Sequence, residues 1–153
     1  MKRKHAKEVY PGLILGGILD IDDMLELDPD VLVPLDHLPA CVKDKGYSGE
    51  ILYCPIPDFN ILPDDELDRL IDKIIAHLED GTRIAIFCIG GHGRTGYVAA
   101  CVLFMLGERD PVSFLHNNYT PCAIETDIQY KAIERYKVRN RDRYIRKYGE
   151  QSI

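Results

Sequence analysis

Hydrophobic positions along the chain change repeatedly between strand-like runs and helical spacing. Short apolar runs predict strands at 9–17, where Pro11-Gly12 makes a hairpin, and at 31–35, 51–57 and 83–88. Apolar residues at helical spacing predict helices over 64–79, 95–106, 111–117 and from about 126 through 148, with one or two turns at 20–27. This alternation predicts an α/β fold, in which a central, mostly parallel sheet carries helices on both faces.

Residues at the helix ends support these boundaries. Asp64 or Asp65 can cap the first long helix, and Gly81 can end it. Thr126 begins the sequence "TDIQ", which fits a capping box at the start of the last helix. The helix over 95–106 is apolar on nearly all sides and is therefore expected to lie buried at the centre of the fold.

The charge pattern adds two basic runs, "MKRKHAK" and "RNRDRYIRK", to a chain of 153 residues with a formal charge of −6. We interpret both runs as solvated termini, and the net charge argues against a nucleic-acid partner held by bulk charge. The start of the chain lacks the apolar segment of a secretory signal, and the longest apolar run, "YVAACVLFML", has about half the length of a membrane span. Five cysteines without paired spacing describe neither a disulfide framework nor a zinc site, so a cytoplasmic location is expected.

The sequence over 87–96, "FCIGGHGRTG", places a cysteine, three closely spaced glycines and an arginine between a buried strand and a buried helix. In that geometry, main-chain N–H groups converge on an anion at the helix N-terminus. Gly90, Gly91 and Gly93 allow the turn and let the backbone approach a ligand closely. Arg94 can hold two phosphate oxygens with its planar guanidinium group. The sequence therefore predicts a phosphate-binding loop between a strand and a buried helix.

Cys88 stands at the mouth of this loop, where the groups that bind a phosphate dianion also stabilise a thiolate. The loop is therefore expected to present an activated sulfur nucleophile to the bound phosphate. Thr95 is placed to donate its hydroxyl to that sulfur when the sulfur leaves. No lysine precedes Thr95, which excludes the phosphate loop of nucleotide-binding proteins.

Phosphoryl transfer to sulfur also needs an acid that protonates the departing oxygen. Strand 51–54, helix 64–79 and strand 83–88 form one crossover unit, so the two strands are predicted to be parallel, with their carboxyl ends at one edge of the sheet. Asp58 is the acidic residue nearest to the end of the first strand, in the loop "PIPDFNILP". It is therefore the candidate acid, on a loop that faces Cys88.

These residues carry a family resemblance. "CIGGHGRTG" matches the Cys-x5-Arg-Ser/Thr pattern of cysteine-dependent phosphatases, and "PIPDF" resembles the general-acid loop of small dual-specificity phosphatases. "VYPGLILGG" and "AIETDIQ" are similar to the opening hairpin and a late helix start of that family. The resemblance runs from residue 8 to about residue 136, so a single catalytic domain of the compact branch, with basic ends, is expected over 1–153.

The resemblance implies a two-step hydrolysis of a phosphate monoester without a metal or cofactor. Cys88 would form a phosphocysteine, Asp58 would act first as acid and then as base, and Thr95 would assist the sulfur. Gln129 could orient a water molecule, although helix capping also accounts for it. The implied substrate is a phosphorylated protein or peptide, and phosphate or vanadate-like anions are the implied ligands. The phosphoryl oxygens would be held by Arg94 and by the main-chain N–H groups of Ile89, Gly90, Gly91, His92 and Gly93.

Two positions depart from the family pattern. Phe87 stands where the family usually has histidine, and His92 occupies a loop position that is often filled by an apolar or small residue. His92 is either a side chain at the rim of the site or a contact for a second phosphate.

Three functions are therefore open at the level of sequence. The first is a phosphatase for phosphotyrosine in proteins, with phosphoserine and phosphothreonine as further substrates. The second is a phosphatase for inositol phosphates, phosphoinositides or RNA 5′ ends, which the basic ends and His92 suggest. The third is a weakly active phospho-binding module, which Phe87 suggests.

Overall fold

The computed structural model describes residues 6–150 and confirms the predicted α/β fold. Within these residues, β1 and β2 form the predicted hairpin, while β2, β5, β3 and β4 run parallel to one another. The strands are β1 (Lys7–Tyr10), β2 (Leu13–Gly17), β3 (Val31–Pro34), β4 (Glu50–Ile51) and β5 (Ile84–Cys88), in the spatial order β1-β2-β5-β3-β4. The helices are α1 (Ile21–Glu26), α2 (Cys41–Asp44), α3 (Asp64–Glu79), α4 (Gly93–Met105), α5 (Pro111–Asn118), α6 (Asp127–Arg139) and α7 (Arg141–Tyr148), with a 3₁₀ turn at Ile18–Asp20.

β5 occupies the middle of the sheet, between β2 and β3. Its last residue, Cys88, pairs with Gly17 at the end of β2, and Phe87 pairs with Pro34 at the end of β3. Because these strands are parallel, their carboxyl ends share one edge of the sheet, which we call the site edge. Cys88 therefore lies at the centre of the site edge.

The strand predicted at 51–57 is shorter than expected, because regular pairing ends at Ile51. The chain nevertheless stays beside β3. The N–H of Leu52 donates to the carbonyl of Leu32 at 2.8 Å, and the N–H of Cys54 donates to that of Pro34 at 3.1 Å. Prolines 55 and 57 cannot donate to this ladder, so it stops there. The loop that follows leaves the sheet at the site edge, as the crossover argument predicts.

Side chains of the central strand alternate between two apolar clusters, as the pleat of a strand requires. Ile84, Ile86 and Cys88 face the larger cluster, which α3, α4, α5 and α6 cover. Ala85 and Phe87 face the smaller cluster, which α1 and α2 cover. Helix α4 is buried along its whole length, as its apolar sequence predicts.

The start of α3 differs from the prediction. The residue that precedes the helix is Pro63, and neither Asp64 nor Asp65 caps it with a side-chain hydrogen bond. The carboxylate of Asp64 instead forms ion pairs with Arg135 at 3.3 Å and with Arg139 at 3.1 Å. The end of α3 is as predicted, because the chain turns at Gly81 with φ +78°.

The helix predicted over 126–148 is two helices, α6 and α7, which are separated at Asn140. Asn140 is buried, and its side-chain amide donates to the carbonyl of Tyr136 at 3.0 Å. Such a local side-chain bond offers the backbone an alternative to the helical pattern. The capping box at the start of α6 is confirmed, with Thr126 and Gln129 as its two members.

The basic run over 139–147 is not simply a solvated terminus, because it pairs with the acidic face of α3. Arg139 holds Asp68 with two nitrogens, at 2.8 and 3.1 Å. The N-terminal basic run falls mainly on residues 1–5, which lie outside the described residues. We call the ion pairs between the C-terminal basic run and α3 the ion-pair ladder. Its further pairs are Arg143–Asp72 at 3.1 Å and Lys147–Glu79 at 3.5 Å.

Candidate active site

The candidate site is built around Cys88, at the point where β5 ends and the chain turns into α4. Its side chain is buried, with only 3% of the residue exposed. The hydroxyl of Thr95, in the first turn of α4, lies 3.1 Å from the Cys88 sulfur and is placed to donate to it. The same hydroxyl is 3.5 Å from the carbonyl of Gly16, at the end of the neighbouring strand. The structure thus brings together the predicted cysteine and threonine.

The phosphate loop, residues 88–94, turns tightly over the end of β2. Gly91 has φ +75°, and a Cβ on it would come within 2.7 Å of the backbone at Gly16 and Gly17. Only glycine fits this close approach. In the part of the chain that the structure describes, the N–H groups of Ile89 and Gly90 donate to no protein acceptor, and neither does that of Gly91.

One amide of the loop differs from the expectation that all of them are available to phosphate. The N–H of Gly93 donates to a carboxylate oxygen of Glu125 at 2.8 Å. Glu125 stands just before α6 and was not among the residues singled out in the sequence. Its contact spans 32 positions of sequence, so local patterns give no sign of it.

Arg94 lies at the base of the loop with 3% of its side chain exposed, and it meets two carboxylates. Its Nη1 donates to Asp36 Oδ1 at 2.7 Å and to the carbonyl of Ile56 at 2.7 Å. Its Nη2 lies 3.5 Å from Asp58 Oδ1. The predicted acid and the predicted phosphate-binding arginine are therefore neighbours in space, although they are far apart in sequence.

Asp58 sits on an exposed loop, with 57% of its side chain accessible to solvent. Its carboxylate accepts a hydrogen bond from the N–H of Phe59 at 2.9 Å, and Phe59 has φ +64°. The first turn of α6 holds this loop: the Thr126 hydroxyl donates to the carbonyl of Phe59 at 3.1 Å, and the Gln129 amide donates to that of Asn60 at 3.3 Å. The candidate acid is thus open to solvent, on a loop whose neighbouring carbonyls are hydrogen-bonded to the start of α6.

Asp36 is a further residue at the site, which the sequence suggests only as a rival to Asp58 for the role of the acid. It follows β3 at the site edge, and its second oxygen lies 2.6 Å from His37 Nδ1. The hydrogen bonds from His37 and Arg94 lower the pKa of the Asp36 carboxyl, so it is an anion at neutral pH. The argument that pointed to Asp58 applies equally to the acid that follows the strand over 31–34. The sequence thus contained the information needed to place Asp36 at the site edge.

The accessory residues take structural positions. Gln129 is fully buried, and its side-chain oxygen accepts from the N–H groups of Glu125 and Thr126 at 2.9 and 3.2 Å. These contacts are those of a helix cap. His92 is half-buried at the start of α4, and its carbonyl accepts from the N–H of Ile124 at 3.1 Å. The ring nitrogen Nε2 of His92 is buried, while the residue as a whole is partly exposed.

Phe87 lies on the other side of the sheet from the site. It is fully buried in the smaller apolar cluster, with Ile14, Met24 and Leu32 among its members. Cys88, the next residue, belongs to the larger cluster. The aromatic ring therefore fills core space behind the loop.

A second concave surface lies away from the candidate site and contains none of the predicted site residues. A pocket of about 660 Å³, lined by Asp22, Asp28, Asp30 and Tyr47 among others, lies at the opposite edge of the sheet. Across residues 6–150, no group of three or more His, Cys, Asp or Glu side chains is arranged to hold a metal ion. Within the same residues, no helix has the length and apolar character needed to cross a membrane.

The fold is that of the cysteine-dependent protein tyrosine phosphatase superfamily, in its compact dual-specificity branch. Residues 38–142 match the family model described as "PTP-SAK: Swiss Army Knife protein, DSP-PTPase phosphatase domain". The match covers more than half of the chain, and the chain belongs to this family.

Relatives in sequence include two uncharacterized proteins of Methanocaldococcus jannaschii. Each is 36% identical to this chain over 85 residues, which make up 56% of the chain and 58% and 54% of the two relatives. The chain thus matches little more than half the length of either relative.

Three of the solved structures with the same fold differ widely in sequence identity to this chain. Tk-PTP in its active form has a TM-score of 0.76 at 25% identity, covering 88% of this chain and 97% of that one. DUSP15 has a TM-score of 0.76 at 15% identity, covering 93% of each chain. A third, PTPMT1 in complex with PI(5)P, has a TM-score of 0.75 at 10% identity and covers 92% of this chain and 99% of that one.

Proposed function

We propose that this protein is a phosphatase that hydrolyses phosphotyrosine in proteins through a phosphocysteine intermediate, with phosphoserine and phosphothreonine as further substrates. The observation that supports this most is the convergence of three groups at the site edge. The Thr95 hydroxyl donates a hydrogen bond to the Cys88 sulfur at 3.1 Å, and the guanidinium of Arg94 lies 3.5 Å from the carboxylate of Asp58. A nucleophile, an oxyanion-binding cation and an acid are the groups that the reaction requires.

In the first step, the sulfur of Cys88 attacks phosphorus, and the bond between phosphorus and the ester oxygen breaks. Arg94 and the main-chain N–H groups of Ile89, Gly90, Gly91 and His92 hold the other phosphoryl oxygens, where negative charge is concentrated in the transition state. Asp58 gives its proton to the departing oxygen, so the leaving group departs as a neutral alcohol or phenol.

In the second step, Asp58 is a carboxylate and accepts a proton from a water molecule that attacks the phosphocysteine. The bond between phosphorus and sulfur breaks, phosphate is released, and the sulfur of Cys88 leaves as a thiolate. The Thr95 hydroxyl, 3.1 Å from the sulfur, donates to the developing negative charge. The enzyme thereby returns to its starting state.

Charge around the site favours a substrate with a single phosphate. Arg94 is the cation of the site, and it is already shared between Asp36 and Asp58. A second phosphate would find no lysine or arginine on the surrounding segments and would meet acidic groups there instead. These segments at the site edge are 18–22, 35–40, 52–63, 89–92 and 119–127.

Apolar side chains at the same edge favour an aromatic carrier for that phosphate. Leu19 is 90% exposed, Phe59 is 54% exposed and Ile89 is 48% exposed. The N–H of Ile18 donates to the carbonyl of Ile89 at 3.0 Å, which places Leu19 beside the phosphate loop. Exposed apolar groups gathered at one site are typical of a binding surface. Phosphotyrosine, with an apolar ring beneath one phosphate, fits this combination.

Two of the features that suggested the alternative functions lie away from the site edge, namely the C-terminal basic run and Phe87. The basic residues of the C-terminal run pair with α3 and are not at the site edge, so they offer nothing to an inositol polyphosphate. Phe87 packs behind the sheet, so it does not place an apolar ring against the sulfur. A phosphoinositide still belongs in the substrate test, because PTPMT1, which shares the fold, was solved with PI(5)P.

The experiment is a substrate panel with the wild-type protein and with Cys88→Ser as the matched inactive control. The panel contains a phosphotyrosine peptide, phosphoserine and phosphothreonine peptides, an inositol polyphosphate, phosphoinositide vesicles and RNA with a 5′ triphosphate. We expect the highest kcat/KM on the phosphotyrosine peptide, with full activity in the presence of a chelator and inhibition by vanadate. A higher kcat/KM on the inositol polyphosphate or the vesicles would refute the protein substrate while leaving the phosphatase chemistry in place.

A further inference from the structure

Three successive residues of the phosphate loop are bonded to one short segment of chain. This segment, residues 119–125 between α5 and α6, is called the support segment. The Tyr119 hydroxyl donates to the carbonyl of Gly91 at 2.6 Å. The N–H of Ile124 donates to the carbonyl of His92 at 3.1 Å, and Glu125 accepts from the N–H of Gly93 at 2.8 Å.

The support segment is itself held in a fixed shape. The N–H of Tyr119 donates to the carbonyl of Leu115 at 2.9 Å, and a ring nitrogen of His116 lies 2.9 Å from the carbonyl of Ala123. Ile124 has φ +69°, which is a strained conformation for a β-branched residue. Strain of this kind persists where surrounding contacts require it. The bond from the N–H of Ile124 to the phosphate loop is one such contact.

These bonds fix the orientation of two peptide planes in the loop. In a trans peptide, the carbonyl and the following N–H point in opposite directions. The bond from Tyr119 to the Gly91 carbonyl therefore turns the N–H of His92 away from Tyr119. The plane between His92 and Gly93 is held at both ends, by Ile124 and Glu125.

We propose that Tyr119 is a positioning residue, whose hydroxyl sets the Gly91 peptide so that the neighbouring loop amides face the phosphoryl group. This inference rests on the proposed function, since it concerns how the same site binds its phosphate. Burial raises the pKa of the Tyr119 phenol, with a smaller contribution from the charge of Cys88, so the hydroxyl stays protonated and donates throughout the neutral range.

The test is Tyr119→Phe, which removes the hydroxyl and keeps the ring. We expect the inhibition constant for vanadate to rise about three- to tenfold, the range of one neutral hydrogen bond, and kcat/KM to fall by a similar factor. The matched control is Tyr148→Phe. Tyr148 is also half-buried and donates to a main-chain carbonyl, that of Met105 at 2.9 Å, at the far end of α4. This control is expected to lower the thermal midpoint without weakening vanadate binding.

A second pair of variants tests the other bonded end of the support segment. Glu125→Gln keeps an oxygen that can accept from Gly93, so it is expected to retain vanadate affinity, whereas Glu125→Ala removes the acceptor and is expected to weaken binding. If vanadate binds more weakly to Glu125→Ala but normally to Glu125→Gln, the hydrogen bond to Gly93 matters and the charge of the carboxylate does not. Equal losses in both variants would show that the charge, and not the bond to the loop, is what matters.

The outcomes for this inference and for the proposed function are distinct. If Tyr119→Phe lowers the thermal midpoint as Tyr148→Phe does but binds vanadate like the wild type, Tyr119 is merely structural and the inference is wrong. If the wild-type protein neither turns over nor binds vanadate, the proposed function is wrong. In that case, hydrogen exchange at the amides of His92 and Gly93 decides whether Tyr119 holds the loop: faster exchange in Tyr119→Phe alone supports it, and unchanged exchange overturns it.

Discussion

The two carboxylates that contact Arg94 are predicted to have different roles, and substitution by asparagine separates them. Asp58 is exposed and makes one weak contact with Arg94, so Asp58→Asn should leave the arginine in place. If Asp58 is the general acid, its loss slows a substrate with a poor leaving group about a hundredfold or more. A very acidic phenol leaves without a proton, so with that substrate the loss should shrink to a small factor.

Asp36→Asn should behave differently because Asp36 touches the arginine more closely. The side-chain oxygen of asparagine can still accept the 2.7 Å hydrogen bond from Arg94, but the negative charge of the carboxylate is lost. The guanidinium keeps its charge, so the bond to asparagine is still charge-assisted by the donor, and losing the carboxylate's share of a bond of about 1.5–3 kcal/mol is expected to cost on the order of 1–1.5 kcal/mol. That corresponds to a loss of about tenfold in kcat/KM, the same for good and poor leaving groups.

The assay measures kcat/KM for a series of aryl phosphates whose phenols span a wide range of acidity. For Asp58→Asn, the plot of log kcat/KM against the phenol pKa should become steeper than for the wild type. For Asp36→Asn, the line should move down without a change in slope. A steeper line for Asp36→Asn together with an unchanged slope for Asp58→Asn would refute the assignment and make Asp36 the acid.

Three further predictions use the same protein. Cys88→Ser is expected to abolish turnover while vanadate or phosphate still binds, as isothermal titration would show; turnover like that of the wild type would exclude the phosphocysteine. His92→Ala is expected to change kcat/KM on singly and multiply phosphorylated substrates by the same factor, and a selective loss on the latter would assign His92 to a second phosphate. Arg139→Gln is expected to lower the free energy of unfolding by about 1 kcal/mol at low salt and by less at high salt, because its pairs with Asp68 and Asp64 are partly exposed. Urea unfolding at two salt concentrations measures this, and a loss that is independent of salt would mean that packing of the arginine stem matters more than its charge.

The phosphate loop could be predicted from sequence because all of its determinants are local. Cys88, the glycines and Arg94 lie within seven consecutive positions, and the strand and helix that flank them have clear apolar patterns. Asp58 needed one step more, from the pattern of elements to the parallel arrangement of strands. The structure places Asp58 beside Arg94, as that step predicts, because crossover connections follow a strict topological rule.

The contacts that the sequence prediction missed depend on tertiary structure. Tyr119 reaches Gly91 across 28 positions and Glu125 reaches Gly93 across 32 positions, and neither stands in a pattern that marks it. The division of the last helix at Asn140 was missed for a related reason. The apolar spacing continues through this position, and only the buried side chain of Asn140 shows that the backbone turns there.

The ladder of ion pairs and the candidate acid are parts of one arrangement. The Asp58 loop ends at the first residue of α3, Asp64, and the middle of the loop is held by the first turn of α6 through Thr126 and Gln129. The position of the loop therefore depends on how α3 and α6 sit against each other. Asp64 itself pairs with Arg135 of α6 at 3.3 Å, at the end of the ladder nearest to the loop. Arg139, the first residue of the basic C-terminal run, reaches the same carboxylate at 3.1 Å, so this run pairs with the helix that follows the acid loop.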